Sequence, residues 1–161
     1  MAHPDPRPAE LKLKAADRCQ LDDVIIAAAG GSLRSGIWGE LLSTAAWNAG
    51  CAGVMVDGAV RDVRCMREMR FAVFARMTCP YNSKDRQRVI DLDVSVEIDR
   101  VRFTPGDLGL ADEDGVVVVP RAVEAEVIRR AWEKVHAENR VRDAIRDGMK
   151  ASAAFKKFGI L

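Results

Sequence analysis

Apolar residues fall in short runs for the first two thirds of the chain and at helical spacing for the last third. Val24-Ile25-Ile26-Ala27-Ala28-Ala29 is a continuous run that stops at Gly30-Gly31, which predicts a buried strand. Leu41, Leu42, Ala45 and Ala46 recur at i, i+1, i+4 and i+5, predicting a helix from about Ile37 to Ala49 that ends on Gly50. A second strand, Val54-Met55-Val56, is expected to run into a small-residue turn at Asp57-Gly58-Ala59, followed by a helix over Val63–Met69. Phe71 to Ala75 reads as a third strand, and Val94, Val96, Ile98, Val101 and Phe103 alternate with charge as antiparallel strands turned at Asp99-Arg100 do. Turns are expected at Thr104–Asp107 and Asp112–Gly115, and Val116–Val119 as a strand closed by Pro120. Val123, Val127, Ile128, Ala131 and Val135 then mark a long amphipathic helix ended by Gly148, and the apolar tail ASAAFKKFGIL is expected to dock rather than stay free.

This succession of strands and helices predicts an α/β domain with a mixed sheet, helices on its faces and a long C-terminal helix. Residues 1–21 read as an extended or irregular lead-in, with a short helix possible over Glu10–Arg18, and residues 22–161 as the domain itself. At 161 residues, 48% hydrophobic and 30% charged, the chain has the composition of one soluble globular domain. A net charge of +1 with no basic stripe argues against a nucleic-acid surface. No run approaches the ~18 apolar residues of a membrane span, and the N-terminus has no export-type apolar region, so a cytoplasmic location is expected. Cys19, Cys51, Cys65 and Cys79 form no C-x-x-C and are expected to be reduced thiols.

Two stretches can carry chemistry. In GGSLRSGIWGELLS a glycine-rich turn opens a helix, whose first backbone N–H groups are free to bind a carboxylate or phosphate, although such turns also serve simply to bend the chain. It is neither a P-loop, since no Gly-Lys-Ser/Thr follows, nor a dinucleotide fingerprint. In GCAGVMVDGAVRD a buried strand delivers Arg61 and Asp62 side by side, a pairing able to hold an anionic, metal-chelating molecule and equally common on ordinary surfaces. Glu40 could act there or could simply favour the helix dipole. Glu40, twenty intervening residues (41–60), then Arg61-Asp62, each at a strand–helix junction, is a more specific arrangement than any one of its parts.

With GGSLRSGIWGELLSTAA, GVMVDGAVRD, PGDLGLADEDGVVVVP and SAAFKKFGIL, the chain from about Asp22 to Leu161 resembles the RraA-like family. The closer resemblance is to its enzyme branch, the class II 4-hydroxy-4-methyl-2-oxoglutarate aldolases that also decarboxylate oxaloacetate. That resemblance implies a lyase yielding pyruvate, dependent on Mg²⁺ or Mn²⁺, with Asp62 as the direct protein ligand of the metal. It implies that Arg61 contacts the substrate's carbonyl oxygen and carboxylate, and that the amides of Gly39, Glu40, Leu41 and Leu42 hold the pyruvate carboxylate. Glu40 would orient a water on the metal, which could serve as proton donor or base. A further carboxylate would come from a neighbouring subunit, with Glu138 the first candidate and Glu133 the fallback. Metal and Arg61 together would polarise the 2-oxo group and stabilise the enolate left when the C3–C4 bond breaks. The implied assembly is a homotrimer, or a hexamer of two trimers, with sites at subunit interfaces.

Two departures from the family pattern are visible. Cys65 stands where an acid often follows the Arg-Asp pair, and is expected to be a buried helix residue. Relatives of the branch also carry a longer segment ahead of the region matching Asp22, so a sheet short of strands would expose an edge and depend on assembly. His136 is expected on a helix surface, His3 in a mobile terminus, Trp38, Trp47 and Trp132 in packing or interfaces, and Asp107, Asp112 and Asp114 in turns. The competing functional class is a non-catalytic RraA-type regulator that binds a ribonuclease or other protein. A methyltransferase lacks support, because no glycine-rich S-adenosylmethionine loop follows the first strand.

Overall fold

Three parallel strands joined by two helices form the frame that positions the site. The structure, a computed structural model, describes residues 10–160. It divides into two compact units, the first extending to Pro105 and the second beginning at Gly106.

In the first unit, helix α1 (Glu10–Asp17) precedes strand β1 (Val24–Trp38), helix α2 (Glu40–Asn48), strand β2 (Gly53–Val60), helix α3 (Val63–Glu68) and strand β3 (Ala72–Thr78). The sheet order is β1-β2-β3, with β2 paired in parallel on both sides. Parallel strands need a crossover, and α2 and α3 supply it. Central β2 is buried almost throughout, Asp57 included, while five of the seven residues of β3 are exposed. The core beneath the helices joins Ala16, Trp38, Ala46, Cys51, Val54, Val56, Val60, Met66 and Phe71. Strands β4 (Val96–Ile98) and β5 (Val101–Phe103) form an antiparallel hairpin through Asp99-Arg100, both with positive φ.

Four sequence expectations change here. Gly30-Gly31 does not end the first strand: both adopt positive φ in a bulge, and the chain resumes pairing with β2 as far as Trp38. The predicted helix therefore starts at Glu40, not near Ile37. Asp57-Gly58-Ala59 is not a turn but the continuation of β2, so the strand itself carries the chain to Arg61. Val94 lies outside the hairpin and is exposed.

Asp57 explains how the bulge is held. Its buried carboxylate accepts the Gly31 N–H at 2.9 Å and pairs with the Arg76 guanidinium, which also reaches Asp99 at 2.7 Å. A buried carboxylate in a strand is tolerated only when its oxygens are satisfied in this way.

In the second unit, β6 (Leu108–Asp112) and β7 (Gly115–Val119) form an antiparallel hairpin. A single 3-10 turn, Arg121–Val123, leads into α4 (Glu124–Arg146), which is followed by α5 (Ala151–Phe158). The apolar tail thus becomes α5, which packs against α4 and buries Ala154 while Phe155 stays exposed. The α/β expectation holds, with the long C-terminal helix; parallel and antiparallel pairs lie in separate sheets. Among the described residues no helix is long and apolar enough to cross a membrane, and all four cysteines are free.

Candidate active site

The carboxyl ends of β1 and β2 lie side by side, and the two helices leave them there. Ligands of parallel α/β sheets gather at this edge, because successive helix N-termini and loop residues converge on it. Gly39 follows β1 and caps α2 with no side chain of its own to bond the helix's first N–H groups. Arg61 and Asp62 follow β2, and the Arg61 N–H donates to the Trp38 carbonyl at 2.9 Å, locking the two strand ends together.

Asp62 is the hinge of the arrangement. It has φ 57° and ψ 32°, a left-handed conformation that costs a side chain with a Cβ but is tolerated best by Asp and Asn. This backbone turns the carboxylate back toward α2, where Oδ2 accepts the Glu40 N–H at 3.3 Å and lies 3.2 Å from Arg61 Nη1. Gly39 is what makes room for it. A Cβ on Gly39 would sit 2.5 Å from Asp62 Oδ2 and 3.1 Å from Arg61 Cγ. The strain of a non-glycine residue, kept where a charged pair meets a helix N-terminus, points to function rather than to stability.

The structure brings Gly39, Glu40, Arg61 and Asp62 together, with Leu41 and Leu42 completing the first turn of α2. Leu41 is exposed, and Leu42 packs against the core. Glu138 and Glu133 lie on α4 in the second unit, Glu138 3.5 Å from Lys134 and Glu133 2.7 Å from Arg129. Cys65, on α3, is half-buried rather than buried. Its thiol pKa is pushed up, first by loss of solvent, then by the charges of Glu40 and Glu68, with a side-chain hydrogen bond to Glu40 contributing.

Other expectations concern the tryptophans, the turn aspartates and His3. Trp38 is buried with its Nε1–H donating to Ser43 Oγ at 2.8 Å, whereas Trp132 is exposed and stacks on His136. Asp107 accepts the Arg121 N–H and Asp112 the Asp114 N–H, which are turn roles. His3 lies outside the described residues. Among the described residues no group of three His, Cys, Asp or Glu side chains is placed to cage a metal ion.

Sequence reasoning missed one half-buried cation that feels the charge of Arg61. Lys12 on α1 is half-buried, donates to Ser83 Oγ at 2.9 Å, and has its pKa lowered by burial and then by the Arg61 charge. Nothing in its local sequence marks it, because only the fold brings α1 to Ser83.

A parallel α/β frame with an arginine–aspartate pair against a glycine-capped helix is the class of protein these features define. The chain belongs to the RraA-like family, described as Aldolase/RraA, whose profile matches residues 6–118. It is 35% identical over 144 residues, 89% of this chain and 68% of the relative, to a Halalkalibacterium halodurans protein provisionally named a 4-hydroxy-4-methyl-2-oxoglutarate aldolase. It is 38% identical over 97 residues, 60% of this chain, to a Thermus thermophilus protein named 4-hydroxy-4-methyl-2-oxoglutarate aldolase, and spans only 58% of that relative's length. The crystal structure of Streptomyces coelicolor RraAS2, described as an unusual member of the RNase ES inhibitor RraA protein family, superposes with a TM-score of 0.77 at 30% identity. That superposition covers 88% of this chain and 72% of the other.

Proposed function

We propose that this chain is a divalent-metal-dependent carbon–carbon lyase that cleaves 4-hydroxy-2-oxo acids to pyruvate and decarboxylates oxaloacetate. The observation that supports it most is the approach of Asp62 Oδ2 to Arg61 Nη1 and to the Glu40 N–H at the start of α2. One small molecule can touch all three groups.

Asp62 suits Mg²⁺ or Mn²⁺. Its side chain is 30% exposed, its Oδ1 is engaged only by a long 3.4 Å contact to Arg61, and no cage of carboxylates surrounds it among the described residues. A hard cation of this kind is commonly bound through one or two carboxylates and keeps several waters. When bound, the cation would supply Lewis-acid polarisation of the 2-oxo group.

The chain's own residues account for the remainder. The N–H groups of Gly39, Glu40, Leu41 and Leu42 at the start of α2 bind and orient the substrate carboxylate. Arg61 lies against the 2-oxo oxygen, where negative charge accumulates as the C3–C4 bond breaks, and stabilises it. In aldol cleavage the 4-hydroxyl loses a proton as the C4 carbonyl forms, and C3 gains one; in decarboxylation CO₂ leaves instead. Glu40 would take and return that proton through a water. Glu138 from a neighbouring copy would be the second. A homotrimer or hexamer fits α4, whose Val127, Ile128, Trp132 and Val135 are exposed in the single chain.

The test is oxaloacetate decarboxylation and 4-hydroxy-4-methyl-2-oxoglutarate cleavage with Mg²⁺, with and without a chelator. Asp62→Ala and Arg61→Ala should each lose activity by about 10²–10³-fold while keeping the wild-type circular dichroism. Wild-type rates from both variants would overturn the assignment. The likeness to the RraAS2 structure favours one other reading, a protein that binds a ribonuclease without catalysis. No metal-dependent turnover, together with inhibition of a purified ribonuclease, would select it.

A further inference from the structure

We propose that Gly36 and Gly39 form a groove that grips the aliphatic stem of Arg61, making Gly36 a positioning residue that aims the guanidinium before substrate arrives. The inference rests on the lyase reading and deepens it by naming what holds the site's arginine in place.

Space, not backbone conformation, explains both glycines. Neither takes a positive φ, so the backbone at each position is open to alanine. Each is instead crowded against Arg61. A Cβ on Gly36 would lie 3.0 Å from Arg61 Cβ and 3.2 Å from its Cγ, and a Cβ on Gly39 would lie 3.1 Å from the same Cγ. The strand ladder brings them there: Gly36 stands opposite Ala59 and Trp38 opposite Val60, and the Arg61 N–H donates to the Trp38 carbonyl. The stem therefore lies against bare backbone at both glycines.

The segment after β3 gives the groove a fixed back. The Gly36 N–H donates to the Tyr81 carbonyl at 2.7 Å, and the Cys79 N–H donates to the Val60 carbonyl at 2.8 Å. The Cys79 carbonyl oxygen would be 2.8 Å from a Gly36 Cβ, so a methyl there would have to displace either Cys79 or the Arg61 stem. Cys79 is tied to β2 through Val60, whereas the Arg61 side chain is 39% exposed, so the stem gives way.

Holding the stem matters because an arginine otherwise samples many rotamers. Gripped by the glycines along its stem, and with Nη1 3.2 Å from Asp62 Oδ2 at its tip, Arg61 is restrained at both ends. A group ordered in advance adds less entropy cost when it meets the charge of the transition state. Gly39 serves Asp62 as well, but the three nearest neighbours of a Gly36 Cβ belong to Cys79 and Arg61. A change at Gly36 thus separates the arginine from the carboxylate.

The experiment uses the full chain as wild type, Gly36→Ala, Arg61→Ala, the double variant and Gly53→Ala. Gly53 is the control for crowding: a Cβ there would meet the Ala72 carbonyl oxygen at 2.8 Å, but at the opposite end of β2. Gly36→Ala should weaken pyruvate binding in calorimetry about tenfold or more and cut oxaloacetate decarboxylation about 10²-fold. Its Mn²⁺ affinity should stay within about twofold of wild type, and the double variant should be no slower than Arg61→Ala. Gly53→Ala should melt lower than wild type yet turn over within about twofold of it. In the wild type, nitrogen relaxation should give the Arg61 Nε–H an order parameter near that of rigid backbone, about 0.8. The same measurement on Arg64, whose side chain is 89% exposed, should be well below it. Equal losses of turnover in Gly36→Ala and Gly53→Ala, or an Arg61 Nε–H as mobile as that of Arg64, would overturn the proposal. The relaxation measurement decides if Gly36→Ala does not fold. If nothing is turned over, but Arg61 is ordered and Gly36→Ala loses pyruvate affinity, the groove stands and the lyase reading fails. If Gly36→Ala matches an active wild type, the lyase reading stands and the groove fails.

Discussion

Asp62 and Gly39 act as a matched pair: one adopts a strained backbone to reach the helix, and the other lacks the atom that would block it. Their consequences separate cleanly. Gly39→Ala must move either the Asp62 carboxylate or the start of α2, and should cut oxaloacetate decarboxylation at least as strongly as it lowers the melting temperature. Asp62→Gly removes the left-handed penalty and the Arg61 ion pair, which is partly exposed and worth little. Its unfolding free energy should lie within about 1 kcal/mol of wild type, or above it, while metal-dependent turnover is lost. A large loss of stability in urea unfolding of Asp62→Gly would show that the residue is retained for folding. Sequence showed that Glu40, Arg61 and Asp62 belonged together, but not that a backbone conformation, rather than adjacency, aims the carboxylate.

Helix α2 is placed by its buried side, and the decisive contact is polar. Trp38, the last residue of β1, donates its indole N–H to Ser43 in the first turns of α2, with both residues buried. Ser43→Ala leaves that N–H without a partner and should cost about 1–3 kcal/mol in chemical denaturation, where a surface Ser→Ala change would cost almost nothing. The same contact ties the end of β1 to the first turn of α2. Apolar runs announced all three parallel strands, yet their lengths were misjudged for a common reason. Gly30-Gly31 and Asp57-Gly58 look like breaks locally, but pairing on both sides of β2 carries the strands through them. The carboxylate of Asp57 then satisfies the bulged Gly31 N–H, a long-range bond that no local pattern encodes.

At the scale of the whole chain, apolar surface is the unresolved force. Helix α4 keeps Ile128 at 48%, Val135 at 50% and Trp132 at 67% exposed, a face a soluble monomer rarely leaves wet. A second copy covering it would explain the heptad-like stripe and would bring a carboxylate of α4 toward another chain's site. Light scattering of the full chain should then give a mass of three or six chains, and Ile128→Glu with Trp132→Glu should shift it to one. A wild-type monomer with wild-type turnover would remove the need for Glu138. The open edge of β3, exposed along most of its length, belongs to the same scale: it is stable only if short, charged or covered, and Arg76 supplies one charge there.

Period and punctuation in the sequence determined the α/β class, the order of the elements except β6, the hairpin at Asp99-Arg100 and the pairing of a glycine-capped helix with Arg61-Asp62. Those are local properties, set by side-chain spacing and by what each backbone step allows. Where the strands stop, which carboxylate is buried, how Asp62 faces Gly39 and how Lys12 meets Ser83 were decided by tertiary structure alone. Each depends on groups distant in sequence competing for the same space and the same hydrogen bonds, and that competition is settled only once the sheet has formed.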